Sequence, residues 1–358
     1  MTADTTSLFE PLKMGDLTLP NRMIMAPLTR CRATDHMPNE LMKEYYTQRA
    51  GAGLIITECT MVTPGTSAFA NDPGIYNDEQ VAAWKEITDS VHAAGGRIFI
   101  QLWHAGRAAH PALNNGRAAV SAVPKAINGS AHTPQGKLEY TVPEALDTEA
   151  IDDIVSAFRK AAENAKKAGF DGVEIHAANG YLIDQFLRDG TNQRDDEYGE
   201  HWHGRVKLLT DVLEAVLTVW DNRHVGIRIS PLNSYNDMKD SDPVALVRYL
   251  CSHLNPYDLG YLHLMRADFM GVQAGDVISP AKELYRGRLM VNMGYTPDEA
   301  ANAIADHMTD MVSFGTAYIA NPDLPERVRR NAPLNAPDPD TFYTDGPRGY
   351  TDYPRLSA

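Results

Sequence analysis

Eight short apolar runs separated by helical patterns, spread over about 300 residues, constrain this chain more than any other feature. The runs are Arg22–Ala26, Leu54–Thr57, Arg97–Leu102, Gly172–Ile175, Val225–Ile229, Tyr261–Leu264, Leu289–Val291 and Met311–Phe314. Most are rich in Val, Ile, Leu or Met and do not alternate strictly with polar residues. That suits strands covered on both faces, as in a parallel sheet. Between Asp147 and Ala168, Ile151, Ile154, Val155, Phe158, Ala162 and Ala165 recur at helical spacing. Thr148 marks the start of that helix and Gly169 follows its end. A second helix is predicted from Pro297 to His307, with Thr296 as N-cap and Pro297 in the first turn. Eight strand–helix repeats are the count of a (β/α)8 TIM barrel, an α/β fold. A doubly wound open sheet uses the same alternation, but no GxGxxG turn follows any early strand. Hydrophobic residues make up 43% of the 358, enough to fill a barrel as a single domain.

Two segments stand outside the repeat. Arg107 to Glu144, after the third strand, is rich in Ala, Asn, Pro and Gly and is expected to be a lid or a small insertion. From Ala332 to Ala358 the chain holds several prolines and the aromatics Phe342, Tyr343, Tyr350 and Tyr353, and should pack on the barrel as an irregular arm. The formal charge of -14 argues against nucleic acid and anionic membrane as partners, without excluding a local basic pocket for a phosphate. Cys31, Cys59 and Cys251 are far apart, which argues against a disulfide framework, a zinc site or an iron–sulfur cluster. Met1 to Glu10 carries no basic region of a signal peptide, and no apolar run approaches the roughly 20 residues of a spanning helix. The expectation is a cytoplasmic protein, monomeric or homodimeric.

In a barrel, chemistry gathers where the strands end. Strand one runs into Pro27-Leu28-Thr29, strand two into Glu58-Cys59, and strand three offers Gln101 and Trp103 on one side. Strand four carries Glu174 and His176 on one face and leads to Asn179 and Tyr181. Arg228 lies in strand five, Arg266 follows strand six, Asn292-Met293-Gly294 follow strand seven, and Gly315-Thr316 follow strand eight. Singly, each has a plain reading. Gln101 could be a core amide and His176 a packed histidine. Arg228 in an apolar strand needs a carboxylate, an anion or a polarisable ligand, and Glu174 is a candidate partner. Glu174 and His176 lack a third ligand at useful spacing, so no metal is expected. Their convergence at one barrel end is what points to function. A histidine, an amide and a phenol together can hold a substrate oxygen and deliver a proton beside it.

These residues fall in longer stretches that resemble the Old Yellow Enzyme family of FMN-dependent ene-reductases. They include Asn21 to Arg30, Gln101 to Arg107, Val173 to Tyr181, Gln185-Phe186-Leu187, Asn192-Gln193-Arg194, Tyr318 to Leu324, and Phe342-Tyr343 with Gly349 to Pro354. The nitrate-ester and maleimide reductase branch looks most similar. The resemblance implies NAD(P)H as hydride donor and FMN as carrier, with an activated alkene conjugated to a carbonyl or nitro group as acceptor. It implies that Thr29 bonds the flavin O4, that Gln101 binds the pyrimidine edge, that Arg228 faces N1–C2=O, and that backbone near Pro27 and Cys59 lines the ring. His176 and Asn179 would bind the substrate oxygen, Tyr181 would supply the proton, and Phe69, Trp103 and Tyr343 would shape the cavity. With asparagine beside a single histidine, substrate binding is expected to carry one pH-sensitive donor.

The phosphate end departs from the family pattern. An arginine usually follows Phe-Gly after strand eight, and here Thr316 stands there; Met293 stands where a glycine is usual, next to Gly294. Backbone N–H groups around Gly315 and Thr316 could still hold a phosphate. Losing a charged contact should cost roughly 1.5–3 kcal/mol. Arg266 is a possible compensation. Trp202-His203-Gly204-Arg205 also departs from the usual Asn-Arg pair. Two other readings follow from these departures: a barrel with weak or absent FMN acting as a cofactor-free enone-binding protein or isomerase, and a non-catalytic binding module.

Overall fold

The computed structural model describes residues 4–356, so the first three residues and the last two of the expected arm lie outside the described part. Eight parallel strands close into a barrel: β1 Met23–Met25, β2 Leu54–Met61, β3 Ile98–Trp103, β4 Gly172–Ala177, β5 Val225–Ile229, β6 Tyr261–Met265, β7 Leu289–Asn292 and β8 Met311–Phe314. Each pairs with the next in sequence, and β8 returns to β1. Every expected strand is present, with ends shifted by a few residues. The largest shift is in β2, which runs on through a register irregularity between Ile56 and Cys59. Such a bulge re-aims the strand end.

Alternation along each strand separates two packing layers. Val173, Ile175 and Ala177 of β4, with Ile227 and Ile229 of β5, join the helices in the main core. The other face of the strands points into the barrel. At the bottom, Ile24, Leu54, Ile56, Phe99, Tyr261, Met290 and Met311 meet Met14 and Leu19, from the hairpin Leu12–Met14/Leu17–Leu19. That layer is wholly apolar apart from one phenol, so the chemistry is confined to the upper half.

The helix predicted from Asp147 spans Thr148–Lys167, and its cap is Asp147, whose side chain accepts from the Ala150 N–H. The residue expected to mark the start, Thr148, is therefore inside the first turn. An aspartate there caps two ways, by its hydrogen bond and by its charge at the positive helix end. Ile151, Ile154, Phe158, Ala162 and Ala165 are buried, as the spacing implies, and each large side chain contributes about 1.5–3 kcal/mol. The other predicted helix is Pro297–Ala305, capped by the Thr296 side chain. It stops short of His307, which adopts a left-handed φ of 56°.

The segment Arg107 to Glu144 is not one loop. It contains the hairpin Ser130–Thr133/Gly136–Glu139, and Val120–Ser121 pairs with Glu144–Ala145. The chain from Ala332 is tied to the barrel by two arginines. Arg32 donates to the carbonyls of Thr341, Phe342, Gly346 and Arg348, and Arg30 donates to those of Phe342 and Gly349. The Tyr350 ring lies 4.0 Å from that of Tyr45, with the Arg32 guanidinium 4.6 Å from its centre. Trp202 opens the helix Trp202–Leu217 and lies under Arg205, which pairs with Asp240 at 3.1 Å. Among the described residues no helix is long and apolar enough to cross a membrane.

Candidate active site

Above the apolar floor the inward positions turn polar together. Register places Gln101 beside Glu174, His176 beside Arg228, and Arg228 beside His263. Glu174 is fully buried and accepts from the Gln101 Nε2 at 2.7 Å. Its other oxygen lies 2.8 Å from the Nδ1 of His263, also fully buried. His263 Nε2 lies 2.7 Å from Ser313 Oγ and 2.6 Å from Arg228 Nη1. Arg228 Nη2 donates to Asn292 Oδ1 at 3.0 Å.

These contacts fix the protonation states. Arg228 can only donate, so His263 Nε2 must accept, and Nδ1–H donates to Glu174. The imidazole is neutral. Burial and the neighbouring Arg228 charge push its pKa from 6.5 to about 4. Burial pushes the Glu174 carboxyl up, but His263 and Arg228 outweigh it and the net shift is down. The carboxylate expected beside Arg228 is thus reached through His263. Sequence reasoning missed that histidine, although it alternates in register with Tyr261 in an apolar strand.

At the end of β4 the chain turns sharply. Asn179 has φ 56° and Gly180 φ 72°, two left-handed residues in a row. Asparagine tolerates that region. At position 180 a Cβ would stand 2.6–2.8 Å from Met238, Asn236 and Tyr235, so only glycine fits. The turn folds Tyr181 back over the strand. Its ring meets those of Trp103 and His176 edge to face, at 5.1 Å each. The Ala178 N–H donates to His176 Nδ1 at 3.3 Å, which leaves the proton on Nε2. Burial, and then the Arg228 charge, lower the His176 pKa to about 3. This corrects the expectation of a pH-sensitive donor: His176 is a neutral donor throughout the ordinary range. Burial raises the Tyr181 phenol well above its usual value, so it keeps its proton.

The loop after β5 grips Asn179 three times. Ser230 Oγ accepts from its backbone N–H at 2.7 Å, Asn236 Nδ2 donates to its carbonyl at 2.9 Å, and Asn233 Nδ2 donates to its side-chain Oδ1 at 2.9 Å. Facing this, Phe69 lies 6.3 Å from Trp103 and 6.3 Å from Tyr343, so the three expected cavity residues are together. Tyr343 is 63% exposed, at the rim. Tyr140, from the excursion after β3, packs on the same group. The Trp103 Nε1–H is buried, with no partner among the described residues. On the β1 side Thr29 Oγ1 lies 3.1 Å from Cys59 Sγ, beside half-buried Pro27.

On the far side of the mouth, between β7 and β8, Gly294 is exposed. Met293 has φ 91°, a region that strains a side-chain-bearing residue, and Gly294 follows at φ 72°. Gly315 precedes the short helix Thr316–Ala320, whose first N–H groups lack intrahelical partners. Arg266 lies against this loop, with Nε donating to the Met293 carbonyl at 2.8 Å. Its guanidinium pairs with both oxygens of Glu299 and covers the Tyr295 ring at 3.7 Å. It is near enough to serve the site but already neutralised, which limits the expected compensation. Among the described residues no group of three or more His, Cys, Asp or Glu is placed to hold a metal ion.

Comparison with known proteins agrees over the whole chain. Residues 7–335 match the family described as NADH:flavin oxidoreductase / NADH oxidase. The chain is 47% identical over 354 residues to a "Probable flavin mononucleotide-dependent alkene reductase" of Leishmania infantum, covering 97% of each protein. The old yellow enzyme from Trypanosoma cruzi superposes with a TM-score of 0.97 at 42% identity, covering 99% of this chain and 100% of that one. Morphinone reductase superposes with a TM-score of 0.94 at 42% identity, over 98% of this chain and 96% of the other.

Proposed function

The chain belongs to the NADH:flavin oxidoreductase / NADH oxidase family, within its Old Yellow Enzyme group, and we propose that it reduces the activated C=C bond of α,β-unsaturated carbonyl or nitro compounds. The donor set fits FMN. Gln101 spends its Nε2 on Glu174, which leaves its carbonyl oxygen to accept from an imide N–H. Arg228, with two of its N–H groups committed, keeps the rest and its charge for an electron-rich carbonyl edge. Thr29 offers a hydroxyl on the opposite side. Backbone N–H groups at Gly294, Gly315 and Thr316, rather than an arginine, would hold the phosphate, so we expect looser binding at that end. When bound, FMN supplies the hydride, taken up from NAD(P)H.

The residues supply the rest. As hydride reaches the β-carbon, negative charge builds on the carbonyl or nitro oxygen. His176 Nε2–H and the Asn179 amide N–H bind that oxygen, and each donor is worth a few kcal/mol in a dry site. Tyr181 gives its phenolic proton to the α-carbon, and the phenolate left behind takes a proton from solvent. Trp103, Phe69 and Tyr343 hold the alkene flat, and Tyr140 brings the excursion over it as a lid. Three buried, unpaired cysteines suit a reducing cytoplasmic setting.

The observation that carries this reading is the trio of neutral donors His176, Asn179 and Tyr181 held over Gln101 and Arg228. Its test is Tyr181→Phe in the FMN-loaded protein. Bleaching by NADPH should keep its rate while turnover of an enone falls roughly 10²–10⁴-fold. Unchanged enone turnover would remove Tyr181 as the proton source. A colourless protein that ignores added FMN would instead favour the cofactor-free reading.

A further inference from the structure

We propose that Asn233, in the loop after β5, is a positioning residue that decides which end of the Asn179 side-chain amide faces the substrate oxygen. The inference rests on the reading that Asn179 binds that oxygen. An amide is ambivalent: turned one way it offers N–H, turned the other way a carbonyl of nearly the same shape. The first stabilises a developing negative charge and the second repels it. Whatever fixes the turn therefore fixes the sign of the contribution.

Nothing in β4 or the turn bearing Asn179 does so. Its backbone N–H and carbonyl are tied to Ser230 and Asn236, which place the residue but leave side-chain rotation free. Among the described residues the side chain has one partner, the Nδ2 of Asn233 at 2.9 Å, which donates to Oδ1. Asn233 can donate there because its own amide is oriented. It is fully buried, its backbone N–H donates to the Ser230 carbonyl at 3.0 Å, and its Oδ1 faces the N–H of Tyr235 at 3.5 Å. Turning Asn179 over would set two NH2 groups against each other, one of them on the fully buried Asn233. The N–H end of Asn179 is thus kept for the site by a chain of amides beginning in another loop.

The test uses FMN-loaded protein with 2-cyclohexenone and with p-nitrophenol, whose absorption reports how far the bound phenol is ionised. Asn233→Asp keeps the shape but can only accept, so the Asn179 NH2 turns to it and the carbonyl faces the ligand. Cyclohexenone affinity should fall roughly ten- to a hundred-fold, and bound p-nitrophenol should shift toward its neutral form. Asn233→Ala, which frees the rotation without reversing it, should lose less. In an Asn179→Ala background neither change should alter affinity further, which separates turning of the amide from simple repulsion by a carboxylate. Unchanged affinity in Asn233→Asp, or an equal loss in the Asn179→Ala background, would overturn the proposal. Should Asn179→Ala itself bind both ligands as tightly as the parent, the underlying role of Asn179 fails first. An unaltered flavin spectrum in each variant certifies that the barrel is intact.

Discussion

Replacing Glu174 with glutamine should destabilise the protein by about 3–5 kcal/mol, the range for breaking a buried ion pair on one side. The magnitude follows from the contacts. An imidazole separates Glu174 from Arg228, so the charges stand about 5–7 Å apart, worth about 2.4–3.3 kcal/mol at an effective dielectric near 20. Glutamine also accepts at only one atom. Glu174 now accepts from both Gln101 Nε2 and His263 Nδ1, and one of these buried donors would lose its acceptor at a cost of about 1–3 kcal/mol. Urea unfolding followed by tryptophan fluorescence at pH 7.5 measures the loss, as a lower midpoint at unchanged slope. Adding Arg228→Met to Glu174→Gln removes the stranded charge, so the second change should cost less than it does in the parent. A loss below about 1 kcal/mol, typical of exposed pairs, or strict additivity of the two changes, would refute the picture of a coupled buried network.

Other consequences follow. Burial holds His104, His176 and His263 at about 3, about 3 and about 4, all below the unfolded value of 6.5. The unfolded chain therefore binds more protons, and stability present above pH 6.5 should drain away toward pH 4, by about 1.4 kcal/mol per net proton per pH unit. Glu58, raised to about 7 by burial, opposes this with one proton; midpoints that rise between pH 7 and pH 5 would contradict the assignment. Enone affinity should be flat from pH 5 to 8, and a step near 6.5 that vanishes in His176→Asn would show that this histidine titrates after all. Met293→Gly relieves a side chain at φ 91°; after the entropy cost of glycine the gain should be about 1 kcal/mol, read by urea unfolding, with FMN affinity no weaker. Arg32→Ala strands four carbonyls of the arm, so trypsin cleavage after Arg348 should quicken roughly tenfold or more, and an unchanged rate would mean that Arg30 and Tyr350 hold the arm alone.

The barrel was legible because its cause is local. Apolar runs at the right intervals, with helical spacing between them, leave few ways to bury both faces of eight strands. The polar strand ends were legible for a related reason. Alternation tells which side of a strand Gln101 and Trp103, or Glu174 and His176, must share, and the resemblance to a known family gave those positions roles. The excursion after β3 was visible as an interruption, but its hairpin was not, since short exposed strands such as Gly136–Glu139 carry no apolar pattern.

What the sequence alone determined, then, is which residues reach the mouth of the barrel. Their protonation and orientation came from the folded chain. His263 joins Glu174 to Arg228 because β4, β5 and β6 lie side by side in the barrel wall, which sets residues 89 and 35 positions apart within hydrogen-bonding distance. His176 is neutral because it is buried beside that arginine, and Asn179 presents a donor because Asn233 holds its oxygen. Arg266 is committed to Glu299 rather than free for a phosphate. Charge, tautomer and amide orientation depend on neighbours that fold in from elsewhere in the chain, and on how much water they exclude. Composition and periodicity carry neither of these.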